Sequence, residues 1–344
     1  MNKNQNLFRR TKTRLYELDL IKGFAILLVV IGHIADPGQS PLIIGSELYF
    51  KLKYLIYSFH MPLFMAVSGM IFFYTFKSFK NSNDYLVYVL KKVERLLLPF
   101  FIMGVIIIIG KVVVGRFIHI NNFTDSTSFL DSVLTLFLRP MESSSRSLWF
   151  LYVLFEYYLV FPLLILLFFN RLYVLIILGL VLYILHPTNN FLALNQFFTY
   201  FLFFALGINI MKYYDLYKIF IKKYGVFFIV LFIISFYFRD YFQLNEALLY
   251  FGILAIISIH YIALYSSYLN NSFFQTLGKY TMVIYLLNLI VMSIFTGILV
   301  KLLPLTDNVF NFFFPLIVFI GIFMPIMIKK YIFSRSKFLS KLTD

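Results

Sequence analysis

The chain has 344 residues, 61% of them hydrophobic and 13% charged, with a mean hydropathy of +0.87. A soluble domain is roughly half apolar and about one-quarter charged. The excess excludes a soluble globular enzyme, because a folded chain still turns much of its surface to water. Cysteine is absent, which excludes disulfides, thiolate nucleophiles, Cys-held zinc and iron–sulfur clusters. The formal charge of +15 asks where the basic residues lie before any partner is inferred.

Apolar runs suited to a bilayer core of about 30 Å recur near 18–34, 54–76, 96–114, 148–169, 172–186, 197–211, 224–238, 247–268, 280–300 and 310–328. They lack the apolar–polar alternation of barrel strands. The sequence therefore predicts an all-α, polytopic membrane helix bundle of about ten transmembrane helices, filling residues 1–344 as one integral membrane domain. The N-terminal MNKNQNLFRRTKTR has the charge of a signal peptide, but no small-residue cleavage site follows it, so it is expected to be retained. An amphipathic segment is expected around Phe129–Leu138, in the longest stretch between spans.

Connections on one side carry Arg9, Arg10, Lys12, Lys77, Lys80, Lys91, Lys92, Arg95, Arg171, Lys212, Lys218, Lys222, Lys223, Lys279, Lys329, Lys330 and the basic C-terminal segment. Those on the other side, with Lys51, Lys53, Lys111, Arg116, Arg139, Arg146, Arg239 and Lys301, carry less than half as many. Cytoplasmic loops hold the excess of Lys and Arg, so both termini are expected in the cytoplasm of a cell-membrane protein. The charge is a topology signal and not a nucleic-acid footprint.

Ionisable residues inside spans are costly and are candidate functional groups by default. The first span reads LDLIKGFAILLVVIGHIAD. Lys22 and His33 lie eleven positions apart, about 20° around a helix and about 16 Å along it. Asp19 falls within about 60° of Lys22. One stripe thus carries Asp19 and Lys22 near the cytoplasmic side and His33 near the outer side. The plainer reading makes Asp19–Lys22 a snorkelling i,i+3 pair and His33 a helix-end residue.

The second span, YLIYSFHMPLFMAVSGMIFF, places His60 at the depth of His33, as a second polar group or as a satisfied structural histidine. Pro62 can open the local helix, and Ser68 and Gly69 permit close helix approach. The third span opens KKVERLLLPF; Lys92 and Arg95 are i,i+3 neighbours able to grip phosphates, or plain anchors. The fourth, SRSLWFLYVLFEYY, has Trp149 at interface depth, where Trp commonly anchors, and Glu156 too deep to snorkel, needing a partner or a proton. Asn288, mid-membrane in IYLLNLI, is a possible helix–helix hydrogen bond. His119, His186 and His260 are isolated and carry no assigned role. No P-loop, dinucleotide glycine motif, HExxH or Asp/His group with metal spacing is present, so no metal is expected.

The strings LYELDLIKGFAILLVVIGH, YSFHMPLFMAVSG, KKVERLLLPF, SLWFLYVLFEYYLVFPLL and FFTYFLFFALG occur in this order across 15–207, with a weaker echo in YTMVIYLLNLIV. In these the chain resembles the acyltransferase-3 family of multi-spanning bacterial acyltransferases, in the branch similar to fucose 4-O-acetylases and polysaccharide O-acetyltransferases. The family's basic residue followed at the same spacing by His falls on Lys22 and His33, and its paired basic residues on Lys92 and Arg95. Many relatives carry His where this chain has Asn288, so the resemblance brings no role to that position. Some relatives also have a hydrolase-like C-terminal domain; without one, transfer is expected to be completed in the membrane domain.

The resemblance implies transfer of an acetyl group from cytoplasmic acetyl-CoA to a sugar hydroxyl of a surface or lipid-linked glycan. Lys22, Lys92 and Arg95 would hold the nucleotide phosphates. His33 would be the catalytic group, as general base or through an acetyl-imidazole. Asp19 or Asp36 is expected to orient or balance the imidazole, with His60, Trp149 and Glu156 supporting the substrate. The competing expectation is a non-catalytic polysaccharide exporter or flippase of the same family.

Overall fold

In lipid a continuous apolar run must satisfy its own backbone, which within one segment only a helix does. The computed structural model describes residues 15–34, 46–115, 128–185, 187–265, 272–303 and 306–343. Asp36, His119, His186 and the basic N-terminus lie outside the described residues. In chain order the helices are α1 (Tyr16–His33), α2 (Glu47–Tyr57), α3 (His60–Thr75), α4 (Ser82–Lys92), α5 (Leu98–Gly115), α6 (Phe129–Leu138), α7 (Trp149–Phe168) and α8 (Tyr173–Leu185). They continue as α9 (Leu194–Lys212), α10 (Tyr214–Tyr237), α11 (Leu244–Tyr265), α12 (Ser272–Lys279), α13 (Thr281–Leu302), α14 (Asp307–Tyr331) and α15 (Lys337–Leu342). No strand occurs among the described residues.

Eight helical segments are long and apolar enough to cross a membrane by length and composition. The other two expected spans correspond to α1 and α8. α1 has 18 residues but carries Glu17, Asp19 and Lys22. α8 has 13 residues, about 20 Å of helix against a core of about 30 Å. The expected amphipathic segment is α6, capped by the Ser128 side chain, which accepts from the Leu130 N–H.

Two prolines shape the helices that carry the candidate residues. In an unbroken helix the Pro62 ring would meet the Ser58 carbonyl four residues back, and α2 gives way to α3 at Ser58–Phe59. Pro99 makes the same conflict with the Arg95 carbonyl. There the chain widens into a π-helical turn, Val93–Leu97, closed by the Leu98 N–H donating to Val93 O. Such single π turns cluster at functional sites, and this one carries Arg95.

α1 lies at the middle of the assembly and packs against α2, α3, α11, α12, α13 and α14. Its crossing with α12 is tight at two glycines. A Cβ on Gly23 would collide with the Phe274 carbonyl, and one on Gly278 with the Asp19 carbonyl. α3 and α9 meet in the same way, Gly69 against the Phe204 carbonyl and Gly207 against that of Ala66, as expected for small residues between membrane helices. α10 instead turns Ile219, Val226, Phe227, Ile233 and Ile234 outward, an apolar face that suits lipid and not water.

Candidate functional site

A cavity of about 540 Å³ opens at the basic end of the bundle, within the usual range for small-molecule sites. Lys22 of α1, Lys92 of α4 and Arg95 of the π turn all line it. So do Lys279, at the end of α12, and Lys329 of α14. Among the described residues five cationic side chains therefore converge on one space, and no Asp or Glu lines it. Like charges brought this close, without carboxylates in the wall, favour a multiply anionic occupant.

Lys22, Lys92 and Lys329 each have a local partner. Asp19 Oδ1 lies 2.7 Å from Lys22 Nζ, as the i,i+3 spacing predicts. The Gly23–Gly278 crossing brings the next residue of α12, Lys279, to the same rim. Lys92 Nζ stands 3.9 Å from the centre of the Tyr158 ring and 5.3 Å from that of Tyr88, a cation–π setting that fixes the position of the amino group. Lys329 Nζ donates to Thr343 O at 2.8 Å, and Thr343 lines the mouth. α15 is tied to the π turn by Lys341 and Glu94, 2.7 Å apart.

Away from the charges the wall becomes apolar and aromatic. Val29, Met61, Phe64, Phe150 and Tyr285 lie along it. Phe150 packs against both Phe64 and Tyr285, with ring centres 5.2 and 5.7 Å away. The Tyr285 hydroxyl donates to Ser147 O at 2.6 Å. Val29 is one turn from His33 on α1, and Tyr285 is one turn from Asn288 on α13. His33 and Asn288 are hydrogen-bonded to each other: His33 Nδ1 lies 3.2 Å from Asn288 Oδ1. The pair thus sits beyond the apolar end of the cavity, opposite the cations.

The predicted residues divide accordingly. Lys22, Lys92 and Arg95 come together, and Lys22 and His33 keep their stripe on one unbroken helix. Asp19 does not orient the imidazole. It is bound to Lys22 and is fourteen residues from His33, about 21 Å along the axis. Asn288 occupies that place instead. His60 is buried, its Nδ1–H donating to Ile56 O at 2.8 Å across the break before α3. That hydrogen bond fits the structural reading. Trp149 stacks on Tyr200 with ring centres 5.1 Å apart. Glu156 keeps a buried Oε2 without a hydrogen-bond partner among the described residues. Neither lines the cavity. His260 is buried with Nε2 3.3 Å from the Tyr214 hydroxyl, which donates to Glu17 Oε1 at 2.7 Å.

Sequence reasoning missed Lys279, Lys329, Tyr158 and Tyr285 as parts of the wall. The two lysines look like ordinary span-end anchors, and only the Gly278–Lys279 step next to a span hints at a close crossing.

The described residues thus form a multi-spanning helical bundle with a cationic cavity at one end and a hydrogen-bonded imidazole beyond the apolar end of that cavity. The chain belongs to the acyltransferase-3 family: the family model, described as an acyltransferase domain, matches residues 15–329. It is thus a multi-pass membrane protein of an acyltransferase family. A stretch of 61 residues is 43% identical to the nodulation protein NolL of Mesorhizobium japonicum, covering 17% of this chain and 16% of that protein. No solved structure matches the chain.

Proposed function

We propose that the protein is a membrane O-acetyltransferase that moves an acetyl group from cytoplasmic acetyl-CoA to a sugar hydroxyl of an extracytoplasmic or lipid-linked glycan. The observation that carries this reading is the cavity itself, with five cations at its mouth, no carboxylate lining it among the described residues, and the His33–Asn288 pair beyond its apolar end. Acetyl-CoA has the matching polarity. Its nucleotide phosphates need cationic donors, while its pantetheine arm and thioester are narrow and nearly uncharged, suited to the Val29–Phe150 stretch.

In this reading the acceptor hydroxyl approaches His33 from the other side of the membrane. Its oxygen attacks the thioester carbonyl carbon as the imidazole takes the hydroxyl proton. The C–S bond breaks, and the proton is passed to the departing thiolate, leaving the sugar ester and free CoA. Placing donor and acceptor on one imidazole replaces a bimolecular encounter with an oriented one.

The test is the O-acetyl content of the surface glycan, read by NMR beside an immunoblot, in cells carrying His33→Gln. The amide keeps hydrogen bonding but cannot take the proton, so acetylation should fall by at least about 10²-fold with the polymer still exported. Near-normal acetylation at normal protein level would overturn the assignment.

A further inference from the structure

We propose that Asn288 is a positioning residue that holds His33 as its Nδ1–H tautomer, so that Nε2 is the nitrogen that takes the acceptor's proton. The inference rests on the reading of His33 as the base. It follows from hydrogen bonds whose direction is fixed one after another. Asn288 is fully buried on α13. Its Nδ2 donates to Ile284 O and to Tyr285 O, both at 2.8 Å. Two carbonyls can only accept, so the amide nitrogen must face them, and the flipped amide would set oxygen against oxygen. Oδ1 is thereby turned to His33, whose Nδ1 lies 3.2 Å away. An amide oxygen also only accepts, so Nδ1 must carry the hydrogen. In a neutral imidazole the lone pair then belongs to Nε2.

This arrangement orients the ring as a third group orients the base in a catalytic triad, but with an uncharged partner. A carboxylate at the same depth would add a buried charge. The amide adds none, and its dipole still favours the imidazolium formed when Nε2 takes the proton. The link also joins two helices, α1 and α13, that reach the cavity separately through Lys22 and Tyr285.

The primary measurement is made on the unaltered chain. ¹⁵N spectra of the full-length protein in lipid bilayers, labelled at its five histidines, report which ring nitrogen is protonated, with His33 assigned by its loss in His33→Gln. His33 should appear as the Nδ1–H tautomer, and in Asn288→Leu, which keeps the bulk but offers no acceptor, it should shift toward Nε2–H or a mixture. In the same variant kcat should fall by about tenfold or more, short of the about 10²-fold or greater loss on removing a base outright, with the KM for acetyl-CoA unchanged. An Nε2–H tautomer in the unaltered protein, a tautomer indifferent to Asn288→Leu, or an unchanged kcat when the tautomer shifts would each overturn the proposal. Full activity of His33→Gln would instead refute the base assignment beneath it, whatever the spectra show of Asn288.

Discussion

The cations at the cavity mouth differ in what holds them but share one space, so their substitutions should act alike. Lys92 stands over Tyr158 and Tyr88, while Lys22 is paired with Asp19. A hydrogen bond to a charged group is worth about 1.5–3 kcal/mol, and about 1.4 kcal/mol is tenfold in affinity. Lys92→Ala and Arg95→Ala should therefore each raise the KM for acetyl-CoA about tenfold and leave that for the glycan near its original value. Lys279→Ala should do the same, although its position in the sequence is that of a simple anchor. Kinetics in reconstituted membranes measure both constants, and a rise confined to the acceptor would reduce these residues to topological anchors. Residue by residue, the sequence exposed what a helical stripe exposes: Lys22 and His33 share a face because they share a helix. Lys279, Lys329 and Asn288 reach the site from α12, α14 and α13, and no periodicity within one span reports a contact between spans.

Among the elements, eight of the ten apolar runs fall on helices long and apolar enough to cross a membrane, and they were legible because burial in lipid demands about 17–25 apolar residues in sequence. The short polar-faced helices α4 and α12 were not, since eight to eleven residues give too little signal to separate from a loop. Pro62 announced the break before α3, whereas the π turn before Pro99 was invisible: a proline conflict can be relieved by breaking or by widening the helix. The α1–α12 crossing is the element contact on which the donor site depends. Gly278 lies against the Asp19 backbone, with no flexible side chain there to yield. Gly278→Val should thus force the helices apart, at a cost of about 1–3 kcal/mol or more for overpacking. A lowered unfolding temperature in detergent should accompany a raised KM for acetyl-CoA, because the same shift moves Lys279 away from Lys22. A variant with unaltered Tm and donor KM would show that the crossing does not shape the cavity.

At the scale of the whole molecule, the proposed reaction brings donor and acceptor from opposite sides of the membrane, so the two ends of the bundle should face different compartments. The cavity gathers Lys22, Lys92, Arg95, Lys279 and Lys329 at one end, which agrees with the unequal division of Lys and Arg between alternate connections. Cytoplasmic loops carry that excess, so the cavity mouth should open to the cytoplasm. The chain has no cysteine, and single cysteines can be introduced without removing any. Lys279→Cys marks the exposed rim of the mouth, and Tyr241→Cys marks the strongly exposed turn between α10 and α11. α10 begins just after Lys212, on the basic side, and ends at Tyr237, so position 241 belongs to the opposite end. A membrane-impermeant maleimide added to intact cells should label position 241 and spare position 279, and opening the membrane should expose 279. Protection of 279 by acetyl-CoA in opened membranes would further locate the donor at the mouth. Labelling of 279 in intact cells, with 241 reached only after opening, would invert the orientation and leave cytoplasmic acetyl-CoA on the wrong side of the cations.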